Sequence, residues 1–340
     1  MAKTLKDIAE KLNLSISTVS CALKDGPKVV SPAVRKRVRK TALEMGYRPN
    51  RIARSLATGR TRTVGVVPMY VDEDTLLHPY LQLALNGIFN AANKLKQDVL
   101  VYTAQDHNRP ETVTDDLLDS RSDGFIFISP RADSLAIKSV AESGLPYAVL
   151  FETSGGQSFT VDSRAGVFRA LEHLVELGHR RIAHITGDLT LSDGRLRRDA
   201  FLEFMEEHRL PVPAVTLIEG NFTRESGYLA GAVFLKLCPM PTAVFCSNDD
   251  IALGLMDALT RSGVRCPEDV SIVGFDGVLP PGSSVPPLTT MRQPAQLMAA
   301  EALRSVVKNI EAGIEIESRV FQPEFIVRGS TASIPLEGIV

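Results

Sequence analysis

Little in this chain invites a covalent or metal-centred function. Its four cysteines (Cys21, Cys238, Cys246 and Cys266) are scattered without CxxC spacing, so a structural zinc site is not expected and reduced thiols are. Six histidines (His78, His107, His173, His179, His184 and His208) share no metal-ligand spacing. GxSxG, HExxH, the Walker-type GxxxxGK[ST] and GxGxxG are all missing, which removes the local signatures of a nucleophile elbow, a zinc protease helix, a phosphate loop and a dinucleotide fold. No nucleophile–base constellation stands out, so neither an enzyme activity nor a cofactor is expected. No apolar run approaches the roughly eighteen residues of a membrane span. The start, "MAKTLKDIAEKL", has no apolar h-region, and a cytoplasmic chain without membrane contact is the expectation.

What is present is an ordinary globular composition with an uneven charge. With 340 residues, 44% hydrophobic and 23% charged, about two or three domains are expected. The net charge of −2 hides an asymmetry: residues 1–63 hold fifteen Lys/Arg against four acids, a balance of +11, and the remainder carries −13. A cationic head on an anionic body fits a polyanionic partner, nucleic acid foremost.

The head reads as three short helices. In "TLKDIAEKLNL", Leu5, Ile8, Ala9 and Leu12 fall on one helical face, with Thr4 and Asp7 spaced as a cap pair. Asn13-Leu14 makes a turn, and Ser15 caps a second helix with Val19, Ala22 and Leu23 inward. Its outward face is Ile16, Ser17, Ser20 and Cys21, with Thr18 near the first turn; Asp25-Gly26-Pro27 ends it. A third helix starts at Ser31-Pro32, runs through Val34, Val38, Ala42 and Met45 and stops at Gly46. This is a helix-turn-helix pattern, in which the second helix enters a DNA major groove. Ile16 then meets a thymine methyl, Ser17 donates or accepts, and the helix start faces phosphate. The bland alternative is a small bundle with an exposed hydroxyl face. After it, "YRPNRIARSLATGRTRT" offers a stripe of Ile52, Ala53 and Leu56 for two turns at most, capped by Asn50. So short a helix is marginal alone, which predicts a hinge that folds on binding. Leu56 among Arg54, Arg60 and Arg62 fits an apolar wedge for a minor groove; a flexible linker is the alternative.

From Thr63 onward, apolar β-branched runs alternate with helical stretches such as 81–96 and 164–177. The runs are "TVGVVPMY", "DVLVYTA", "DGFIFISP" and "PYAVLFE", then "RIAHITG", "AVTLIEG", "TAVFCSN" and "DVSIVGFD". Strands of this kind are buried on both faces of a parallel sheet, and two sets of four predict two doubly wound lobes. Ligands of open α/β sheets bind beyond the carboxyl ends of the strands, which places a site in the cleft between the lobes. Phe222, Asn248, Asp249 and Asp276 follow strand ends, and Arg197 lies past the strand that ends at Gly187. A carboxylate, an amide, a guanidinium and an aromatic plane suit a polyhydroxylated ligand. Asp249 is assigned instead to capping the next helix.

"TLKDIAEKLNLSISTVSCAL", "VSPAVRKRV", "MGYRPNRIARSLATGRT", "HLVELGHRRIAHITG", "PTAVFCSNDDIALGLMDAL", "DVSIVGFDG", "PPLTTMRQP" and "FIVRGST" occur in that order over residues 4–331. As an ordered set they resemble the lactose-repressor/galactose-repressor (LacI/GalR) family of bacterial transcription regulators. The resemblance implies a helix-turn-helix head (1–47), a hinge helix (48–62) and a two-lobed α/β body like the periplasmic binding proteins. One lobe comprises 63–162 plus 291–321 and the other 163–290 plus 322–340, with crossings near 162, 290 and 322. It also implies that Arg197, Phe222, Asn248 and Asp276 contact an effector, with Tyr80 as an aromatic wall; Glu152 aligns ambiguously. The candidate DNA-facing set is Thr4, Ser15, Ile16, Ser17, Thr18, Ser20, Cys21, Ser31, Asn50, Arg51, Ala53, Arg54 and Leu56. Two departures stand out: Cys21 replaces an Arg of many members, implying a different operator, and the loop "KDGPKVV" is irregular. The resulting expectation is a homodimeric repressor of carbohydrate genes that binds double-stranded operator DNA under control of a sugar-like effector. No Leu heptad follows Thr331, so no coiled-coil tetramer device is expected. Two alternatives stay open: a purine, another metabolite or a phosphoprotein as effector, and a solute-binding protein or sugar-processing enzyme of similar fold.

Overall fold

The computed structural model describes residues 3–23, 30–68, 79–103, 115–131, 133–151, 157–280 and 282–334. Within the helix at 51–58 the side chains of Arg51, Ile52, Arg54 and Ala57 fall outside the description, as do residues 24–29 of the irregular loop and Glu152. The chain divides into two compact units, Met1–Thr61 and Arg62–Val340.

Local chemistry sets each helix of the first unit. Helix α1 (Leu5–Leu12) opens with a capping box: the Thr4 hydroxyl accepts from Asp7 N–H and the Asp7 carboxylate accepts from Thr4 N–H. Asn13 closes it in the left-handed region, φ 51°. Helix α2 (Ile16–Leu23) starts with Ser15 Oγ accepting from Thr18 N–H at 3.0 Å. Helix α3 (Pro32–Glu44) has Ser31 as cap and Pro in its first turn. Ile8, Ala9, Val19, Ala22, Val38 and Ala42 make the core that these three helices share. Helix α4 (Arg51–Thr58) is formed, with Asn50 Oδ1 accepting from Ala53 N–H at 3.2 Å.

The second unit runs β1 (Thr63–Pro68), α5 (Pro79–Leu95), β2 (Asp98–Val101), β3 (Gly124–Ile128), α6 (Leu135–Ser143), β4 (Tyr147–Leu150) and β5 (Ser158–Val161). It continues through α7 (Ser163–Glu176), β6 (Ile182–Ile185), α8 (Ser192–Glu207), β7 (Leu217–Ile218), α9 (Arg224–Phe234), β8 (Ala243–Cys246), α10 (Asp249–Arg261) and β9 (Ser271–Asp276). Last come β10 (Thr289–Arg292), α11 (Ala295–Ala312), β11 (Arg319–Phe321) and β12 (Glu324–Ile326). Two six-stranded sheets result, ordered β11-β5-β4-β3-β1-β2 and β12-β10-β9-β8-β6-β7, parallel except where β12 runs against β10. The buried strands β1, β3 and β8 are the continuous apolar runs of the sequence. Eight strands were expected; the structure adds β5, β10 and β11, disguised by Ser, Thr and Arg, and β12, which is only three residues long. "AVTLIEG" forms a strand only at Leu217–Ile218, because Ala214–Thr216 is a single 3-10 turn.

The chain passes to the second sheet after β5, returns after β10 so that α11 packs on α5, β3 and β4, and crosses again between β11 and β12. Three connections thus join the two sheets, and Asn248 and Asp276 lie at the carboxyl ends of β8 and β9.

Candidate functional site

In the head, α2 presents what the hydroxyl-rich sequence promised on one side only. Val19 and Ala22 are fully buried, Ile16 is 50% exposed and Ser17 is exposed, while Ser20 and Cys21 are half-buried. Ser15 and Thr18 serve the helix first: their hydroxyls lie 2.8 Å apart and Ser15 caps. Thr4, Ser31 and Asn50 likewise spend their side chains as caps, at the starts of α1, α3 and α4. Such caps place helix N-termini at the surface, where backbone N–H groups suit phosphate oxygens. On α4, Leu56 is 83% exposed beside exposed Ala53. A leucine so bare is costly in water unless something covers it. Arg37, which the sequence did not single out, donates from Nη2 to the Leu12 carbonyl at 2.7 Å and ties α3 to the end of α1.

In the body, the candidate residues converge. Arg197 on α8 is 2% exposed; its Nη1 donates to the Ser247 carbonyl at 2.8 Å and its Nη2 to Asp193 Oδ2 at 3.2 Å. Asp276 Oδ1, at the end of β9, lies 3.8 Å from Arg197 Nη1. The guanidinium stacks on Phe275 (4.1 Å to the centroid) and faces Phe222 at 5.7 Å. Phe222 sits at φ 69° with its ring against Gly187, where any side chain would collide. Across the cleft, Tyr80 at the start of α5 packs at a tilt against Phe151, with centroids 4.6 Å apart. Its hydroxyl donates to Gln293 Oε1 at 2.7 Å, and Gln293 Nε2 donates to Asp276 Oδ1 at 2.5 Å. One buried chain of polar groups, Tyr80–Gln293–Asp276–Arg197, therefore joins the two lobes.

The cap of α10 is Asn248 and not Asp249. Asn248 Oδ1 accepts from Ile251 N–H at 2.9 Å while Nδ2 donates to the Phe222 carbonyl at 2.9 Å. Asp249, assigned to the cap, is 1% exposed and accepts from Gly277 N–H at 2.9 Å and from Thr290 Oγ1. Asn248 thus holds Phe222 in place, and Asp249 ties α10 to β10.

The electrostatics are those of a dry, acid-rich site. Burial raises the Asp276 carboxyl well above its usual range against the pull of Arg197, and burial lifts Asp249 to about 6. Burial also raises the Tyr80 hydroxyl, so it stays a hydrogen-bond donor at neutral pH. Arg197 Nε and Ser247 Oγ are buried without a partner among the described residues, two polar atoms left for something that enters the cleft. Gln293, Asp193 and Asp249 were missed or displaced in the sequence; nothing local marks a glutamine whose partners lie 17 and 213 residues away. Among the described residues no group of His, Cys, Asp and Glu is placed to hold a metal, and no helix is long and apolar enough to cross a membrane.

Comparison with known proteins follows the same division. Residues 4–50 match the bacterial regulatory proteins, lacI family, and residues 171–331 the periplasmic binding protein-like domain. The probable HTH-type transcriptional repressor ExuR of Bacillus subtilis (strain 168) is 30% identical over 334 residues, which cover 96% of this chain and 98% of that protein. The Lac repressor dimer bound to operator and the anti-inducer ONPF has a TM-score of 0.86 at 27% identity, over 98% of this chain and 100% of that one. A transcriptional regulator CelR–cellobiose complex has a TM-score of 0.75 at 28% identity, over 96% and 99%.

Proposed function

Because this chain belongs to the lacI family of bacterial regulatory proteins, we propose that it is a repressor of genes for carbohydrate uptake or breakdown, governed by a polyhydroxylated small molecule in its interlobe cleft. It is a DNA-binding transcription regulator, and its action is binding without chemistry, in the cytoplasm. Two copies pair through their bodies and present two heads to a roughly palindromic operator. The functional division is a head over 1–47, a hinge over 48–62 and lobes of 63–162 plus 291–321 and 163–290 plus 322–340. The passage of the chain between sheets after β5, after β10 and between β11 and β12 supports it.

Thr4, Ser15, Ile16, Ser17, Thr18, Ser20, Cys21, Ser31, Asn50, Arg51, Ala53, Arg54 and Leu56 face DNA, and Tyr80, Arg197, Phe222, Asn248 and Asp276 form the effector site. The observation that carries the cleft is the polar chain from Tyr80 to Arg197, beside which Arg197 Nε and Ser247 Oγ have no partner among the described residues. The small molecules named in the two structures, cellobiose and ONPF, lend support. Effector binding shifts the lobes and changes operator affinity, and DNA must change effector affinity by the same factor.

The test is a thermal-shift screen of sugars, polyols and nucleobases, followed by operator titration with and without the hit. Asp276→Ala removes a buried hydrogen-bonding partner, so effector affinity falls by about 1–3 kcal/mol, roughly five-fold or more, while operator binding without effector holds. A variant that responds at the wild-type ligand concentration places the effector elsewhere.

A further inference from the structure

The side chain that bridges the lobes belongs to the chain itself. Gln293 directly follows β10, where the backbone returns to the first lobe, and is 3% exposed. Its carboxamide accepts from Tyr80 on one side and donates to Asp276 on the other. Both lobes therefore grip one neutral group through one acceptor atom and one donor atom. We propose that the Gln293 carboxamide is a built-in surrogate ligand: it fills the slot between Tyr80 and Asp276 that the effector takes, and the effector displacing it is a neutral molecule with an adjacent donor and acceptor, such as a carboxamide or a vicinal diol, not a carboxylate or phosphate. The inference rests on the cleft being the effector site.

Three observations carry it. Complementarity comes first: Tyr80 Oη offers a proton and Asp276 Oδ1 accepts one, so a group entering between them must accept at one atom and donate at its neighbour. A carboxylate offers only acceptors and would leave Asp276 Oδ1 without the donor that Gln293 Nε2 now supplies. Charge is second. Arg197 already holds Asp193 at 3.2 Å and stands 3.8 Å from Asp276, and buried Asp249 acts on Asp276 as a further like charge. Two carboxylates, Asp193 and Asp276, already share this guanidinium, and an anion entering beside Asp276 would add to the like charge that Asp249 brings. Space is third. Gln293 also lines an open groove of about 520 Å³ along α5 and the start of α11, with Leu83, Gly87, Gly277 and Arg292 and with none of Tyr80, Arg197 or Asp276, room for the displaced side chain outside the slot. The unpartnered Arg197 Nε and Ser247 Oγ then give the incoming molecule a donor and a hydroxyl beyond those that Gln293 uses.

The test uses chemical rescue of the full chain. Gln293→Ala deletes the carboxamide, so its melting temperature falls below that of the wild type. Acetamide, which restores the missing group, raises the variant's midpoint and leaves the wild type unmoved; acetate, the same shape with a charge, raises neither. Rescue by acetate as good as by acetamide, or no rescue by acetamide, overturns the surrogate. Should Gln293→Ala fail to fold, Gln293→Glu keeps the shape and adds a further carboxylate. It melts below the wild type at pH 8 and regains stability as the pH is lowered; wild-type melting at pH 8 overturns the proposal. Wild-type protein is screened with neutral polyols and amides in parallel. Stabilisation there with no acetamide rescue removes the surrogate alone, whereas no stabilisation by any of them removes the effector reading and the surrogate with it.

Discussion

Asp276 ends its strand at φ 132°, and Phe222 and Phe151 stand at φ 69° and 67°. Side chains rarely adopt these conformations, each costing on the order of 1–3 kcal/mol, and they persist where packing over-determines them, as it does around binding sites. Burial of ionisable groups is the second form of tension at this scale. His179 is 3% exposed, its Nδ1 3.0 Å from Thr242 Oγ1 and its Nε2 3.0 Å from Ser271 Oγ and 3.1 Å from the Ala332 carbonyl. His184 is fully buried between the rings of Phe201 and Phe245. Burial lowers both to about 4 from 6.5. A folded-state value below the unfolded one means stability that is complete above pH 6.5 and is lost as the pH falls through 4. Asp249, raised to about 6 from 3.8, acts in the opposite sense, since it favours the folded chain only while protonated. The two histidines act against it over the same range. Urea unfolding of His179→Gln between pH 4 and 7.5 isolates one of them. The variant is less stable at pH 7.5, and its loss of stability on acidification is shallower than in the wild type. Parallel curves would mean that His179 takes up its proton alike in the folded and the unfolded chain.

At the scale of elements, α4 is the critical case. It has two turns, an Asn50 cap and an exposed Leu56; the sequence allowed a helix this short only against a partner, and the structure forms it. If Leu56 is the wedge, burying its side chain in DNA is worth about 1.5–3 kcal/mol. Leu56→Ala then weakens operator binding by roughly ten-fold or more, and effector affinity stays as it was. Operator and effector titrations of the same preparation check both halves; an unchanged operator constant removes the wedge. What was legible at this scale was local. The Thr4–Asp7 box, the Ser15 cap, Ser31-Pro32 and the buried β-branched strands declare themselves within a few residues of sequence. The strands β10 and β11 do not, because a run such as "TTMR" or "RVF" becomes a strand only through neighbours far along the chain: β11 pairs Arg319 with Phe159. The site divides in the same way. Arg197, Phe222 and Asp276 were legible from strand ends and resemblance, and they do meet. Gln293 was not, since its meaning comes from Tyr80 and Asp276 and not from its own flanks. Asn248 and Asp249 show the limit: adjacent polar residues after a strand both suit a cap, both are buried, and only distant partners such as Thr290 decide which one caps and which one ties α10 to β10.

Charge acts at the scale of the whole molecule, where the head's +11 and the body's −13 almost cancel. A titration of net charge would miss the asymmetry, but a polyanion does not, because phosphates meet the head's fifteen basic residues and not the average. Each phosphate neutralised releases condensed counterions, so the logarithm of operator affinity falls linearly with the logarithm of salt, with a slope of about −0.9 per contact. Two heads on a palindromic site, each making several contacts, give a slope on the order of −5 to −9, equivalent to a loss of about 10³–10⁵ in affinity between 50 and 200 mM salt. Effector affinity, set in a buried cleft with little exposed charge to screen, changes far less over the same range. Fluorescence anisotropy of a labelled operator across a salt series measures the first, and calorimetry of the effector across the same series measures the second. A shallow operator slope would mean that the cationic head does not hold the phosphate backbone. A steep effector slope would mean that the ligand is charged, against the surplus of carboxylates around Arg197.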